Sequence, residues 1–216
     1  MFAVNNDNGR EILLGVVRGI QSNKDYLGEV DGLIGDGDHG MNMNKGFTLY
    51  AEKLGDGETK FSEGLYDIGY ILLNKIGGSM GPIYGTIFME MSDAAGDAGQ
   101  ISLPLFRDML QAGIDGLYDI VDARPGDKTL VDTLFPALES LSHAIDQETS
   151  FPEALQNMQS AADSGKESTK NMVAKYGRAA RLGDRSRGVL DAGATSCYII
   201  LQSIADGMKQ AMEEFL

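Results

Sequence analysis

The chain has 216 residues, 43% of them hydrophobic, and its 18 lysines and arginines against 32 acidic residues give a net charge of −14. This length and apolar content exclude a disordered chain and predict one domain over residues 1–216. The acidic balance argues against a nucleic-acid binder and a polybasic membrane-surface protein, because both need clustered basic residues. The single cysteine, Cys197, excludes an intramolecular disulfide. No leader-like start and no long apolar run are seen, so we expect a cytoplasmic protein without a membrane span.

Apolar residues recur at helical spacing along most of the chain. The clearest stretches are residues 12–20, 26–33, 61–76, 134–145 and 200–212, with a break at Ser22-Asn23 between the first two.

Capping residues agree with this periodicity. Ser102 before Pro104 and Ser150 before Pro152 are typical of helix starts, and Gly81-Pro82 opens a further helix. Gly177 stands where a helix would end. No segment shows convincing strand alternation. The sequence therefore predicts an all-α fold of eight or nine amphipathic helices, arranged as a bundle or barrel.

Glycine is unusually frequent, with 28 residues or about 13% of the chain against a usual ~7%. Twelve of the 28 lie in segments 35–40, 77–85, 124–129 and 177–193. Turns between helices do not need so much glycine, whereas a backbone that approaches a ligand closely does. These four segments are therefore the candidate binding loops.

The first loop carries three carboxylates within eight residues, Asp31, Asp36 and Asp38. If Asp31 ends a helix, all three can point into one small volume, where they repel unless a cation lies between them. Oxygen ligands without thiolate favour Mg²⁺, Mn²⁺ or Ca²⁺. The alternative is a solvated acidic turn, which His39 and Asn42 beside the carboxylates make less attractive.

The other loops add features that suit phosphate. Residues 77–86 form a glycine-rich turn entering a helix, which is either an anion site or a plain interhelical turn. Residues 124–129 read as an ordinary turn. Residues 177–188 hold four arginines, which suit phosphate oxygens or belong to a surface loop. Together the four loops supply the parts of a phosphoryl-transfer site, and a two-metal arrangement would explain three aspartates.

In this order the motifs resemble those of the nucleotide-binding L subunit of dihydroxyacetone kinase, a family that includes the C-terminal ATP-binding domain of single-chain kinases. The motifs are Ile34-Gly35-Asp36-Gly37-Asp38-His39-Gly40, Gly77-Gly78-Ser79-Met80-Gly81-Pro82, Pro125-Gly126-Asp127-Lys128-Thr129, Gly177-Arg178-Ala179 and Asp191-Ala192-Gly193-Ala194-Thr195-Ser196.

The resemblance implies a closed barrel of eight antiparallel helices with ADP or ATP at one end. It implies that Asp31, Asp36 and Asp38 hold two Mg²⁺ ions and, with Arg178, are the catalytic residues. Leu130 would lie against the adenine. The residues that it assigns to the nucleotide are His39, Gly40, Asn42, Gly78, Ser79, Met80, Gly126, Thr129, Leu130, Arg178, Asp191, Ala192 and Gly193. The last three would close over the nucleotide.

The resemblance also implies a function and partners. The γ-phosphoryl group of Mg-ATP would pass to dihydroxyacetone held on a separate K subunit, and bound ADP would be rephosphorylated by a phosphohistidine-carrying M subunit. A homodimer is compatible with this arrangement. The alternatives are a kinase subunit for another keto-sugar, such as a tetrulose, and a regulatory nucleotide-binding partner without turnover. Met80 and Ala192 depart from the family pattern, and a lid with Ala192 in place of proline should be less rigid.

Overall fold

A computed structural model describes residues 2–213, so the predicted domain limits at residues 1 and 216 lie outside the described residues. The described part contains nine α-helices. They are α1 (Gly9–Ser22), α2 (Lys24–Ile34), α3 (His39–Leu54), α4 (Phe61–Lys75), α5 (Met80–Ala95), α6 (Leu103–Ile120), α7 (Val131–Asp146), α8 (Phe151–Ser168) and α9 (Ala192–Glu213). Short 3₁₀ helices span Asn6–Asn8, Thr169–Asn171 and Ala179–Ser186. The predicted helical fold is confirmed, including the break between α1 and α2.

Two short strands accompany the helices. β1 (Ala3–Asn5) and β2 (Gln100–Ser102) pair antiparallel, with Val4 opposite Ile101. Both of these side chains are buried. Three residues are too few to show an alternating pattern, which is why the sequence did not reveal them.

The helices close into a ring around one core. From α4 to α9, each helix packs against the next in sequence, and α1 lies between α9 and α4. Helices α2 and α3 pack against each other. Helix α2 also packs against α9, and α3 also packs against α1. All nine helices contribute side chains to one hydrophobic cluster. The expected closed helical barrel is thus confirmed, with α1 and α2 separated only by Asn23.

Close helix packing explains part of the glycine excess, in addition to the four candidate loops. Sixteen of the 28 glycines lie in α-helices. Helices α4 and α5 cross at Gly69 and Gly85, where a Cβ on either glycine would lie 2.8 or 3.0 Å from the other's carbonyl oxygen. The glycines therefore serve both the packing and the loops.

Helix α8 ends at Ser168, not near Gly177 as expected. The Ser168 and Thr169 hydroxyls donate to carbonyls three residues earlier, Gly165 O and Lys166 O. Such side-chain bonds compete with continued helical hydrogen bonding. Gly177 does have a positive φ of 67°, but in the loop that follows.

None of the helices within residues 2–213 is long and apolar enough to cross a membrane.

Candidate functional site

A cavity of about 420 Å³ opens at one end of the barrel. The first turns of α3, α5, α7 and α9 line it, together with the last turn of α2 and the residues that follow α6. The N-terminal end of a helix carries free N–H groups and a partial positive charge. Four such ends around one cavity favour an anionic ligand, and phosphate is the anion that helix N-termini commonly hold.

Three carboxylates share this cavity. Asp31 lies in the last turn of α2, and Asp36 and Asp38 lie in the loop before α3. One oxygen from each falls within 4.8 Å of the others. Gly35 makes this possible, because a Cβ there would collide with the Asp31 carboxylate. A cluster of oxygen ligands this tight fits a hard divalent cation, which offsets the mutual repulsion of the carboxylates.

Arg178 stands at the mouth of the cavity. Its Nη2 lies 2.8 Å from Asp36 Oδ2, and its side chain is 65% exposed. An ion pair this exposed contributes little to stability. Arg178 can therefore exchange Asp36 for another anionic partner at small cost.

The glycine-rich turn forms the entry to α5. Gly77 and Gly78 are exposed, and Gly78 has φ of 74° with no atom within 4 Å of the place where a Cβ would stand. Glycine is thus required at position 78 by backbone conformation and not by packing. The first N–H groups of α5 follow directly, after Ser79.

Part of the cavity wall is apolar. It is formed by side chains of Ile34, Met80, Ile83, Leu130 and Val131. Met80, which departs from the family pattern, also packs against the core. Such a wall beside polar donors is typical of small-molecule sites, where the apolar part accepts a ring and the polar groups orient it.

A buried hydrogen-bond network lies behind the cavity. His39 Nε2 is 2.8 Å from Ser196 Oγ, and the Tyr84 hydroxyl is 2.7 Å from the same oxygen and donates to the Gly193 carbonyl at 3.0 Å. Burial lowers the pKa of His39 to about 4, against the opposing effect of Asp38, so its imidazole is neutral at pH 7. Burial also raises the pKa of Tyr84. The network connects the N-terminal turns of α3, α5 and α9.

Asp191 faces the cavity from the start of α9. Its Oδ2 accepts the Ala194 N–H at 2.8 Å, as expected of a residue that caps a helix. Burial raises its pKa to about 6, while the Ala194 N–H and the charge of Lys128 act in the opposite direction.

Nearly all residues predicted to bind metal or nucleotide line this cavity; Gly40 and Gly126 do not. Gly40 packs against the Lys24 carbonyl, where α3 crosses α2. The Gly126 N–H donates to the Asp132 carboxylate, which also accepts the Thr129 N–H and so braces that loop. Binding roles for all of these residues remain predictions.

Lys128 and Tyr84 also line the cavity, and sequence reasoning gave them no role. Lys128 is 1% exposed and has φ of 61°. A lysine in a Pro-Gly-Asp turn is normally solvated, so local composition gave no sign of its burial. Tyr84 lies within the glycine-rich segment 77–85, and nothing in that segment indicates which distant residues its hydroxyl would meet.

Fold and site together define a helical-barrel domain with a cavity at one end that three carboxylates and four helix N-termini share. The chain belongs to the DAK2 domain family, whose model matches residues 33–206.

Similar proteins are known. The chain is 40% identical over 189 residues to the ADP-binding subunit DhaL of the PEP-dependent dihydroxyacetone kinase of Escherichia coli K12, covering 86% of this chain and 89% of that one. It is 31% identical to the D-erythrulose kinase of Mycolicibacterium smegmatis, covering 85% of this chain but 32% of that one. The dihydroxyacetone kinase of C. freundii, in a crystal structure with AMP-PNP and Mg²⁺, shares the fold with a TM-score of 0.67 at 23% identity, over 95% of this chain and 35% of that one.

Proposed function

We propose that the chain is the ADP- and ATP-binding subunit of a dihydroxyacetone kinase and forms one domain over residues 1–216. It transfers the γ-phosphoryl group of Mg-ATP to dihydroxyacetone on a separate subunit. One observation carries the proposal: three converging carboxylates and four helix N-termini share one cavity. A cation and a polyphosphate are held side by side in this way in phosphoryl-transfer sites. The likeness to a named ADP-binding subunit supports the same assignment.

The acidic cluster would hold Mg²⁺ in this proposal. Asp31, Asp36 and Asp38 supply oxygen ligands of the kind that Mg²⁺ prefers, and we assign two ions to them. Mg²⁺ bound there would neutralise charge on the phosphates. Arg178, whose Nη2 lies 2.8 Å from Asp36 Oδ2, would orient a phosphate oxygen.

The remaining groups would hold the nucleotide. The main-chain N–H groups of Gly78, Ser79 and Met80, which line the cavity, would donate to the phosphates. Leu130 and the apolar wall would accept the adenine, and residues 191–193 would close the cavity over it. His39 acts here as a neutral side chain that orients Ser196, since its Nε2 is already engaged.

The proposed partner subunits supply two functions that we do not assign to this chain: holding the keto-sugar and rephosphorylating ADP. Its two histidines are His39, which is buried, and His143, which is exposed on α7. Neither is placed to hold a keto-sugar covalently beside the nucleotide, so we assign the substrate to a K subunit. The PEP dependence named for the Escherichia coli relative supports rephosphorylation of bound ADP by an M subunit. This would place the protein in the cytoplasm, and a homodimer is compatible with it.

Calorimetry with ADP and Mg²⁺ tests the site. We expect binding that needs both components and that is lost in Asp36→Asn, because the variant removes one charge from the cation site. Asp56→Asn is the matched control, since Asp56 is an exposed carboxylate in the loop after α3. Mg²⁺-independent binding, or equal binding by both variants, would refute the assignment.

Two assays test the donor and the transfer step. Mass spectrometry of nucleotide released from the purified protein should show retained ADP if a phosphohistidine partner recharges it, whereas an empty site favours exchangeable ATP. Phosphoryl transfer is then measured with a K-type partner. Nucleotide binding without transfer would indicate the regulatory alternative.

A tetrulose is the second candidate substrate, favoured by the likeness to D-erythrulose kinase. That relative is about three times longer than the matched region, so the likeness concerns about a third of a larger enzyme. Comparison of dihydroxyacetone with erythrulose in the reconstituted reaction decides between the two.

A further inference from the structure

Lys128 is a buried cation in an acidic protein. Its Nζ donates to the Thr169 and Val189 carbonyls, each at 2.6 Å. Burial lowers its pKa, opposed by the carboxylates of Asp191 and Asp132, while the charge of Arg187 lowers it further. The ammonium group thus holds two main-chain carbonyls together, one after α8 and one just before α9.

Thr169 makes a second connection between the same segments. It is fully buried, and its hydroxyl accepts the Asp191 N–H at 3.0 Å while donating to Lys166 O at 2.7 Å. Lys128 and Thr169 therefore tie down residues 189 and 191, on either side of Leu190. No helix holds these residues, since α9 begins only at Ala192.

The backbone at Lys128 is consistent with a functional constraint. Its φ of 61° lies in the left-handed region, which non-glycine residues seldom adopt. Such a conformation persists only where its surroundings fix it, and Asp132, which accepts the N–H of the next residue, Thr129, provides that support. The turn is thus arranged so that Lys128 points inward.

We propose that Lys128 and Thr169 are positioning residues that fix residues 189–193 against the cavity so that Asp191 and Gly193 meet the nucleotide in one geometry. The inference rests on the proposed function for its ligand. The clamp consists of Lys128 Nζ, Thr169 Oγ1 and their main-chain partners. Lys128, Asp191 and Gly193 line the cavity, whereas Thr169 and Val189 are not among its lining residues. The clamp acts on binding through the segment that it holds.

Three variants and one control test the clamp. Lys128→Met removes the ammonium group at similar length, and Thr169→Val removes the hydroxyl at similar shape. Thr169→Ser retains the hydroxyl and should behave like the original protein. Ser62→Ala is the control, because Ser62 is a buried serine that accepts a hydrogen bond from Asn6, away from the cavity lining.

The first measurement is amide hydrogen exchange without ligand, which does not depend on the proposed function. We expect roughly tenfold faster exchange at residues 189–193 in Lys128→Met and Thr169→Val, because each loses a buried hydrogen bond. Thr169→Ser and Ser62→Ala should leave that segment unchanged. Faster exchange spread evenly over all helices, or none at 189–193, overturns the proposal.

The second measurement is the affinity for Mg-ADP. It should weaken roughly tenfold in Lys128→Met and Thr169→Val and be restored in Thr169→Ser. If Ser62→Ala weakens binding equally, the effect is general destabilisation and the clamp is refuted. If the original protein binds no Mg-ADP, the proposed function fails, while the exchange measurement still decides whether the clamp exists. If Lys128→Met does not fold, the Thr169 pair decides both measurements.

Discussion

Asp191 provides a sharp test of the electrostatics at the cavity. Its carboxyl has a pKa of about 6 in the folded protein against an ordinary value of 3.8. One pH unit corresponds to about 1.4 kcal/mol, so ionising this group in the folded state costs about 3 kcal/mol more than in the unfolded chain. Because the residue is partly exposed to the cavity, solvent screening reduces the cost to about 1–2 kcal/mol.

The sign follows from the raised pKa. Below pH 4 the carboxyl is protonated in both states and costs nothing. As the pH rises from 4 to 6 the folded state holds the proton more tightly, so stability falls, and above pH 6 the full cost is present. Asp191→Asn removes the charge but keeps an oxygen for the Ala194 N–H. It should match the original protein near pH 4 and be more stable by about 1–2 kcal/mol at pH 7.5.

Urea unfolding at several pH values measures this difference, and in thermal scans it should appear as roughly 3–6 °C at pH 7.5. Asp93→Asn, an exposed change on α5, should show no such pH-dependent gain. A difference between Asp191→Asn and the original protein that stays constant from pH 4 to 7.5 would contradict the reasoning. Asp191→Asn being less stable than the original protein at pH 7.5 would also contradict it. That result would mean that the attraction between Lys128 and Asp191 stabilises the fold by more than the burial of the Asp191 charge destabilises it.

Two further predictions each compare a substitution with a control substitution of the same type, at the adjacent glycine in one case and at another buried tyrosine in the other. Gly78→Ala should cost about 1 kcal/mol in urea unfolding, because φ is 74° there, whereas Gly77→Ala, also in open space but without positive φ, should be nearly neutral; equal costs would contradict the conformational argument. Tyr84→Phe should cost about 1–2 kcal/mol, because Ser196 and Gly193 lose a buried partner. Tyr50→Phe should cost little, since within residues 2–213 the buried Tyr50 hydroxyl has no hydrogen-bond partner; a larger loss for Tyr50→Phe would refute the role given to the network.

The fold and the carboxylate cluster could be predicted because their evidence is local. Helical periodicity repeats within each segment, and Asp31, Asp36 and Asp38 lie within eight residues, where one glycine-rich loop can bring them together. The binding roles for the cavity residues came instead from the family resemblance, since no single loop was specific by itself. The structure adds that these loops meet at one end of the barrel.

What escaped prediction depends on contacts between distant segments. Lys128 meets Thr169 and Val189, 41 and 61 residues away. Tyr84 meets Gly193 over 109 residues. Periodicity and motifs describe neighbours along the chain, so they cannot show which turn will bury a lysine. At the end of α8, the Thr169 carbonyl accepts hydrogen bonds from the Met172 N–H and from the Lys128 ammonium group, and only the first of these partners is near it in the sequence.

The charges around the cavity imply that a cation and an anion bind together. An anion alone would be attracted by the N-terminal ends of four helices and repelled by three carboxylates. A cation alone would be attracted by the carboxylates and repelled by the helix ends. Each ligand therefore reduces the repulsion felt by the other, which makes their affinities reciprocally linked. In the proposed site Arg178 would add to the coupling, because a cation at Asp36 would compete for the oxygen that Arg178 contacts and would free the guanidinium for an anionic ligand. Lys128 is fixed by its two carbonyl partners, which suits a residue that holds the segment before α9 in place. Arg178 is exposed and can change its partner, which suits a residue that contacts the ligand.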